Sequence, residues 1–378
     1  MGIANRGIAT GSAFLSMFFL GIGVAIVGAT ARAVGLSASQ IGYLIAAQNV
    51  GVGIAVVVGG ALSDLHPKPT ILAVGLAMLG FSFAALYRSD SFAVNLGVMF
   101  IMGGGMGAVE AVTDAMLLDM HTRNESRYVT VNHFFVSIGM VGITLYLMAL
   151  DLNWSASLTQ VAVAMAALLA LVVFLRPPGH HRAASGGQIV RELTADTGIL
   201  LLFLAGAGAI GLGVGTTGVI TTYATEVRRM SAESAQITLA LFLLGMAAGR
   251  MLMGLLPRHN RPYGVAMVAA CGALLGSVLV FALPLPPALL TALAFVTGLC
   301  VAPLLPLTIA TAGLRYRHIA GSAMGMVKLA IPVGGIVFPG LLGLVSDVVS
   351  FKAALYLLPL CALLFLVATG LGERRRKA

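Results

Sequence analysis

The chain has 378 residues, of which 59% are hydrophobic and only 9% are charged. Soluble globular proteins carry about 25% charged residues, so this composition excludes an ordinary soluble enzyme or binding module. The formal net charge is +9 at pH 7. In so apolar a chain, a surplus of basic residues indicates loops that face anionic lipid, and it does not favour nucleic acid as a partner.

Continuous apolar runs predict twelve transmembrane helices, because a helix of about 20 apolar residues can cross a bilayer with its backbone groups satisfied. The runs lack the strict alternation of a membrane β-strand. The predicted spans are 7–30, 38–62, 70–87, 92–117, 129–150, 157–175, 198–224, 234–256, 263–285, 288–312, 320–345 and 351–371.

Basic residues in the loops predict the orientation of the chain. With the N-terminus in the cytosol, sixteen of the 22 Lys and Arg residues fall on the cytosolic side, five fall on the outer side, and Lys328 lies within a span. We therefore expect a multi-pass protein of the inner (plasma) membrane with both termini in the cytoplasm.

The polar segment 176–197 predicts a cytosolic linker between two halves, residues 1–175 and 198–378, the second ending in a short basic tail. Glycine-bearing segments recur at corresponding points of the two halves, as in GAL at 60–62 and GLL at 254–256. Internal repeats of this kind are typical of secondary transporters. We expect an all-α membrane protein with twelve transmembrane helices in two pseudo-symmetric six-helix bundles.

Glu110 and Lys328 both lie well inside predicted spans, at similar depth from the cytosolic side. A charged side chain there costs roughly 3 kcal/mol, so it normally faces a partner, a cavity or a substrate path. Lys328 is expected to pair with Glu110, directly or through the substrate, or to bind an anionic solute. The alternative is a lysine whose stem reaches cytosolic water.

Asp114 lies one helical turn after Glu110, so the two carboxylates share a face. Two nearby carboxylates in a medium of low dielectric resist simultaneous ionisation, so the pair can hold a proton and release it. This predicts a proton-coupling role for Glu110 and Asp114. The alternatives are a permanently ionised Glu110 paired with Lys328, and an Asp114 that accepts from loop amides.

Other polar side chains at membrane depth are candidate substrate contacts beside Lys328. Each side chain can equally form a hydrogen bond between helices, which stabilises a membrane protein by roughly 0.6 kcal/mol. These residues are Gln48, Asn49, Asn132, His133 and Tyr223.

Several segments resemble the major facilitator superfamily. Residues 60–68, GALSDLHPK, are similar to its loop signature Gly-x-Leu-Ala-Asp-Arg-x-Gly-Arg, and Gly249-Arg250 is similar to the corresponding point of the second half. GLCVAPLLP at 298–306 and GGIVFP at 334–339 also resemble family patterns. The resemblance implies the major facilitator fold and transport by alternating access.

The resemblance also implies a cytosolic gate. Asp64 in the loop signature would bind the positive end of the eleventh span near Gly321. Lys68 belongs to the same signature, and Arg250 resembles the matching gate residue of the second half. The alternative is ordinary cytosolic charge, which would account for Arg250 but less naturally for the acid Asp64.

Within the superfamily, the fourth and fifth spans are most similar to the fucose-permease-like branch of proton symporters. The fourth span carries GGGMGAVE at 103–110 followed by Asp114, and the fifth carries NHFF at 132–135. In that branch an Asn stands at the position of Asp114. The resemblance implies proton-coupled symport.

We therefore expect a secondary transporter that takes up a small polar or anionic solute with protons, acts as a monomer, and requires no cofactor or metal. One alternative is a proton-driven exporter of drugs or metabolites. Such antiporters carry Gly-x-x-x-Gly-Pro in the fifth span, where this chain has SIGMVGI at 137–143. A second alternative is a membrane sensor or scaffold that does not transport.

Overall fold

The computed structural model describes residues 3–36, 38–121, 125–149, 153–174, 191, 196–255 and 262–377, and this part of the chain contains helices and no strands. The α-helices are α1 (Ile3–Val34), α2 (Ala38–Leu65), α3 (Lys68–Ala85), α4 (Phe92–Met120), α5 (Glu125–Ala149), α6 (Trp154–Phe174), α7 (Thr197–Thr222), α8 (Ala232–Leu255), α9 (Pro262–Ala282), α10 (Pro287–Val301), α11 (Leu304–Arg315), α12 (Ala320–Lys328), α13 (Ala330–Val348), α14 (Phe351–Leu355) and α15 (Leu357–Lys377). Twelve segments of the described chain are long and apolar enough to cross a membrane, and they match the twelve predicted spans. The all-α, twelve-span prediction is confirmed.

Proline interrupts the tenth and eleventh spans. Pro306 has no N–H to donate to the carbonyl of Ala302, and the tenth span breaks there into α10 and α11. Pro332 likewise has no N–H for the carbonyl of Lys328, and the eleventh span breaks at Leu329 into α12 and α13. The second break makes Lys328 the last residue of a nine-residue helix.

The chain forms two compact units. The first comprises Met1–Thr194 and Gly313–Lys328, and the second comprises Ala195–Ala312 and Leu329–Ala378. The eleventh span is therefore divided between the units at the helix break, because α12 belongs to the first and α13 to the second. The predicted linker 176–197 lies mostly outside the described residues, and its boundaries stay a prediction.

In the first unit α2 packs against α4, α1 against α5, α3 against α6, and α12 against α2. Glycine permits the closest of these approaches: a methyl group on Gly51 would overlap the carbonyl of Phe100, and one on Gly103 would overlap the carbonyl of Gln48. The backbones of α2 and α4 are therefore in direct contact.

The second unit repeats this arrangement. There α8 packs against α10, and α7 packs against α13 and α15. A methyl group on Gly245 would overlap the carbonyl of Phe295, and one on Gly298 would overlap the carbonyl of Phe242. The second and fourth spans of each half thus meet through a reciprocal pair of glycines.

Candidate functional site

A buried ion pair lies within the first unit, between α4 and α12. The Lys328 ammonium is 2.8 Å from a carboxylate oxygen of Asp114, and both side chains are fully buried. Lys328 is the last residue of α12, directly before the break at Leu329. The pair brings together a predicted proton-coupling residue and a predicted substrate contact.

Two consecutive residues of α5 complete the surroundings of the Asp114 carboxylate. Asn132 donates from its side-chain amide to one oxygen at 2.8 Å, and His133 Nε2 lies 3.0 Å from the other. The Asn132 amide also donates to the Thr113 hydroxyl at 3.1 Å. Asp114 therefore lies at the centre of this cluster, with Asn132, His133 and Lys328 as its partners.

Glu110 takes a different place in the cluster from the expected one. Lys328 donates to its backbone carbonyl, whereas its carboxylate has no hydrogen bond or ion pair to any described residue. The residue is 7% exposed. The expected side-chain pairing of Lys328 with Glu110 is thus corrected to Asp114, one turn further along α4. The alternative in which Asp114 accepts from loop amides is not observed among the described residues, where its partners are side chains.

One acceptor in the cluster is unsatisfied. The side-chain carbonyl oxygen of Asn132 is buried without a hydrogen-bond partner among the described residues. Its orientation is determined by the Asp114 carboxylate, which can only accept and therefore requires the Asn132 amide nitrogen on its side. An unsatisfied buried acceptor costs about 1–3 kcal/mol. A solute or water hydroxyl that reached this atom would remove that cost.

A second carboxylate binds the opposite end of α12. The two oxygens of Asp64 accept from the backbone amides of Gly321 at 2.9 Å and Ser322 at 2.7 Å. These amides belong to the first turn of α12, where N–H groups lack a partner within the helix and the dipole favours an anion.

Glycines bring α2 close enough for this contact. A methyl group on Gly60 would lie 2.6 Å from the carbonyl oxygen of Gly321, and one on Gly325 would lie 2.7 Å from the carbonyl oxygen of Val56. Both distances are too short for a real side chain, so α2 and α12 meet backbone to backbone. The short reach of Asp64 depends on this approach.

The other two predicted gate residues lie elsewhere. Lys68, at the start of α3, forms an ion pair with Asp119 at 2.8 Å near the end of α4, and the Asp119 side chain is 55% exposed. Arg250 is a partly buried residue of α8, in the second unit.

Gln48 and Tyr223, two other predicted substrate contacts, each form hydrogen bonds within their own unit. Gln48 donates to the carbonyl of Gly23 at 2.9 Å and to the sulfur of Met102 at 3.5 Å, which links α1, α2 and α4. Tyr223 is buried in the second unit, where its hydroxyl donates to the carbonyl of Val280 at 2.7 Å. Asn49 is partly buried in α2. In this structure Gln48 and Tyr223 therefore form hydrogen bonds that connect neighbouring helices.

Sequence reasoning missed the residues that organise the cluster. Thr113, which accepts from Asn132, looks like an ordinary small polar residue of a transmembrane helix. Pro332 carried a usable signal, since a proline four residues after Lys328 indicates a helix break at that lysine. In the described part of the chain, no group of three His, Cys, Asp or Glu side chains is placed to hold a metal ion.

Comparison with known proteins agrees with this architecture. The family model for the Major Facilitator Superfamily matches residues 8–286 and, in a second match, residues 203–378. No curated protein matches the sequence.

Solved structures of three transporters share the fold. The E. coli fucose:proton symporter FucP is 16% identical, with a TM-score of 0.73 and coverage of 98% of both chains. The proton:xylose symporter XylE is 13% identical, with a TM-score of 0.73 and coverage of 97% of this chain and 95% of its own. The human organic anion transporter MFSD10 is 16% identical, with a TM-score of 0.74 and coverage of 97% and 99%.

The family model extends over nearly the whole chain, and the twelve helical segments that are long and apolar enough to cross a membrane match those predicted from the apolar runs. The chain therefore belongs to the Major Facilitator Superfamily and is a membrane transporter.

Proposed function

We propose that this transporter takes up a small polar or anionic solute together with protons, by alternating access between bundles formed by residues 1–175 and 198–378. The linker 176–197 and both termini would lie in the cytosol of a cell whose inner (plasma) membrane holds the protein as a monomer. The observation that carries the proposal is the buried ion pair of Asp114 and Lys328, one turn from Glu110.

Coupling by this ion pair requires Lys328 and Asp114 to separate, and Lys328 stands at the boundary of the first unit, which also contains Asp114. Lys328 ends α12, and the next residue begins the second compact unit. If alternating access withdraws Lys328 from α4, Asp114 is left as a buried, unpaired carboxylate. Leaving one member of a buried pair charged costs roughly 3–5 kcal/mol, so a proton takes the place of the lysine on Asp114.

Glu110 is the second proton site in this proposal. Its carboxylate has no protein partner among the described residues and is slightly exposed, so a proton can reach it while Asp114 is still paired. The two sites lie one turn apart, and a proton on Glu110 reduces the negative charge that holds Lys328. Protonation of Glu110 and departure of Lys328 from Asp114 are then favoured together.

Protonation also determines when Lys328 is available to a solute. In the ion pair its charge is balanced by Asp114, and the side chain is fully buried. A proton on Asp114 leaves Lys328 as an uncompensated cation that attracts a carboxylate or phosphate. His133 and the unsatisfied oxygen of Asn132 would contact polar groups of the same solute, whereas Asn49, Gln48 and Tyr223 are candidates with weaker geometric support.

Asp64 would be the main gate residue. Its two hydrogen bonds to α12 hold the same helix that carries Lys328. Movement of α12 therefore requires both the Asp64 and the Asp114 contacts to open. Lys68 and Arg250 would contribute as charges near the cytosolic ends of α3 and α8.

The solved relatives define the solutes to test first. Similar folds move fucose or xylose with protons, and another transports organic anions. Purified protein in proteoliposomes would be given an inward proton gradient and a panel of hexoses, pentoses, organic anions and amphiphilic drugs. We expect accumulation of one solute above its external concentration, abolished when the gradient is collapsed.

Carboxylate variants measured in the same assay identify the residues that couple solute movement to protons. Glu110→Gln and Asp114→Asn should each lose gradient-driven accumulation, whereas Asp90→Asn, an exposed carboxylate of the α3–α4 loop, should keep it. Gradient-driven expulsion would establish the exporter instead. Failure of every solute to move would favour a sensor or scaffold.

A further inference from the structure

The seam between α3 and α6 in the first unit contains an apolar groove of about 510 Å³. This volume lies within the range of roughly 300–1,000 Å³ that holds a small ligand. The fully buried side chains of Leu76 and Met165 line its base. Phe81 and Val163, which are 55% and 65% exposed, line its open side. Gly80 contributes to the depth of the groove because it has no side chain to fill it.

Both helices are long and apolar enough to cross a membrane, so we expect the exposed apolar side chains of this groove to face acyl chains. Among the residues that line the groove, only Arg88 and Thr159 have polar side chains, so the groove offers few hydrogen-bonding groups to a polar solute. The chemistry that matches its lining is a hydrocarbon chain.

One end of the groove carries a cation. Arg88, which follows the end of α3, donates to the hydroxyls of Ser155 and Thr159, both at 2.6 Å. It also donates to the carbonyl of Ser155 at 3.2 Å and to that of Ala84 at 3.3 Å. All four acceptors are neutral, and no carboxylate among the described residues pairs with Arg88. The guanidinium charge is therefore not neutralised by an ion pair among the described residues, and the nearby amino end of α6 adds to its attraction for an anion.

The backbone holds Arg88 at this end of the groove. The preceding residue, Tyr87, has a φ of 59°, in the left-handed region that a bulky residue rarely adopts. Its amide donates to the Asn95 side chain at 2.8 Å, and its ring packs edge-on against Trp154 with centroids 5.8 Å apart. Arg88 is thus presented by a fixed turn, unlike a lysine or arginine that moves freely at the membrane surface.

We propose that this groove is a binding site for an anionic phospholipid, with one acyl chain along the seam of α3 and α6 and the phosphate at Arg88. A zwitterionic lipid would place the same chain in the groove with less electrostatic gain. The site lies in the first unit alone and is independent of the proton-coupled function proposed above.

Native mass spectrometry of the purified protein with equal amounts of phosphatidylglycerol and phosphatidylcholine of identical chains tests the proposal without any transport assay. We expect the wild-type protein to retain phosphatidylglycerol over phosphatidylcholine by about fivefold, since one arginine near an anionic lipid surface is worth about 1 kcal/mol. Arg88→Gln should reduce this ratio to near one, and Arg88→Lys should restore most of it.

A second variant tests the groove with Arg88 intact. A Cβ on Gly80 would meet only the Cβ of Met165 at 3.6 Å, an ordinary contact, so Gly80→Leu fills the groove without a backbone clash. This variant should lose retention of both lipids. Gly97→Leu is the matched control, because that glycine of α4 is exposed and has no neighbour within 4 Å.

Unchanged lipid ratios in Arg88→Gln, or full retention in Gly80→Leu, would overturn the proposal. Displacement of the bound lipid by inorganic phosphate alone would overturn it too, because it would show a site for a free anion without a role for the acyl chain.

Discussion

Asp64 and Asp114 bind the two opposite ends of one nine-residue helix, α12. Asp64 accepts from the amides of Gly321 and Ser322 in its first turn, and Asp114 pairs with Lys328 at its last residue. Each carboxylate thus meets a positive group, the helix dipole at one end and an ammonium at the other. Two aspartates therefore attach α12 to the rest of the first unit, and they differ in their partners. Asp64 binds backbone amides, whereas Asp114 is paired with a full charge.

Removing either member of the buried pair should destabilise the protein far more than removing both. Asp114→Asn or Lys328→Met should each cost roughly 3–5 kcal/mol of unfolding free energy, because each leaves an uncompensated buried charge. The double variant should recover most of this loss. Unfolding in detergent, followed for the four proteins as a double-mutant cycle, measures the coupling.

The exposed pair of Lys68 and Asp119 supplies the matched control. Lys68→Met and Asp119→Asn should each cost less than about 1 kcal/mol, because water screens that pair. Equal losses at the buried and the exposed pair would show that the Asp114–Lys328 contact is not the strong interaction described above.

Loss of the Asp64 carboxylate should release the first turn of α12. Asp64→Ala removes the acceptor of two amides and should cost about 1–2 kcal/mol, as for other helix caps. Hydrogen exchange should increase in peptides that cover residues 320–328. Asp119→Ala, at the end of α4, should leave this exchange unchanged, and protection equal to wild type in Asp64→Ala would exclude the cap.

Because α2 and α12 are in direct backbone contact, we expect alanine to have opposite effects on stability at two glycines of α2. Gly60→Ala should destabilise the protein by roughly 1–3 kcal/mol, because its methyl group would lie 2.6 Å from the backbone oxygen of Gly321. Gly42→Ala, at an exposed site of α2 with no neighbour within 4 Å, should instead stabilise it by about 0.5–1 kcal/mol. Thermal unfolding of the two variants should shift in opposite directions, and a shift in the same direction would contradict the close contact.

His121, directly after the fourth span, predicts a pH dependence of stability. Burial, and then the charge of Arg6, hold the pKa of His121 below its ordinary value. The folded protein therefore favours the neutral ring, which is hydrogen-bonded to Thr10 at 2.9 Å and stacked on Tyr128. As the pH falls through the usual histidine range near 6.5, the unfolded chain binds a proton that the folded chain resists, so stability decreases.

The measurement is the melting temperature in detergent as a function of pH, for wild type and His121→Gln. The glutamine can keep the hydrogen bond to Thr10 and does not titrate, so part of the decrease between pH 7.5 and 5.5 should disappear. Identical pH profiles for the two proteins would show that His121 does not contribute.

The spans were predictable because each is a local apolar run, whereas the contacts of the polar side chains depend on how each helix is rotated. Glu110 and Asp114 lie one turn apart on the same face, so the sequence alone could not decide which of them meets Lys328. The decision depends on α12, whose end is determined by Pro332. Tyr223 illustrates the same limit, because its hydroxyl turns to the carbonyl of Val280 on a neighbouring helix.

The partner of Asp64, in contrast, could be predicted. The position of this aspartate in a family-like loop, together with the chemistry of a helix terminus, was enough to predict a partner near Gly321 from the sequence. The unsatisfied oxygen of Asn132 was not predictable, since it results from the orientation that Asp114 imposes on one amide.

We propose above that Glu110 and Asp114 couple solute movement to protons. The most direct measurement compares gradient-driven accumulation with solute counterflow for wild type and Glu110→Gln in the same proteoliposomes. Counterflow exchanges labelled for unlabelled solute and needs no net proton movement, so the variant should retain counterflow and lose accumulation. Accumulation at the wild-type level in Glu110→Gln would contradict the claim.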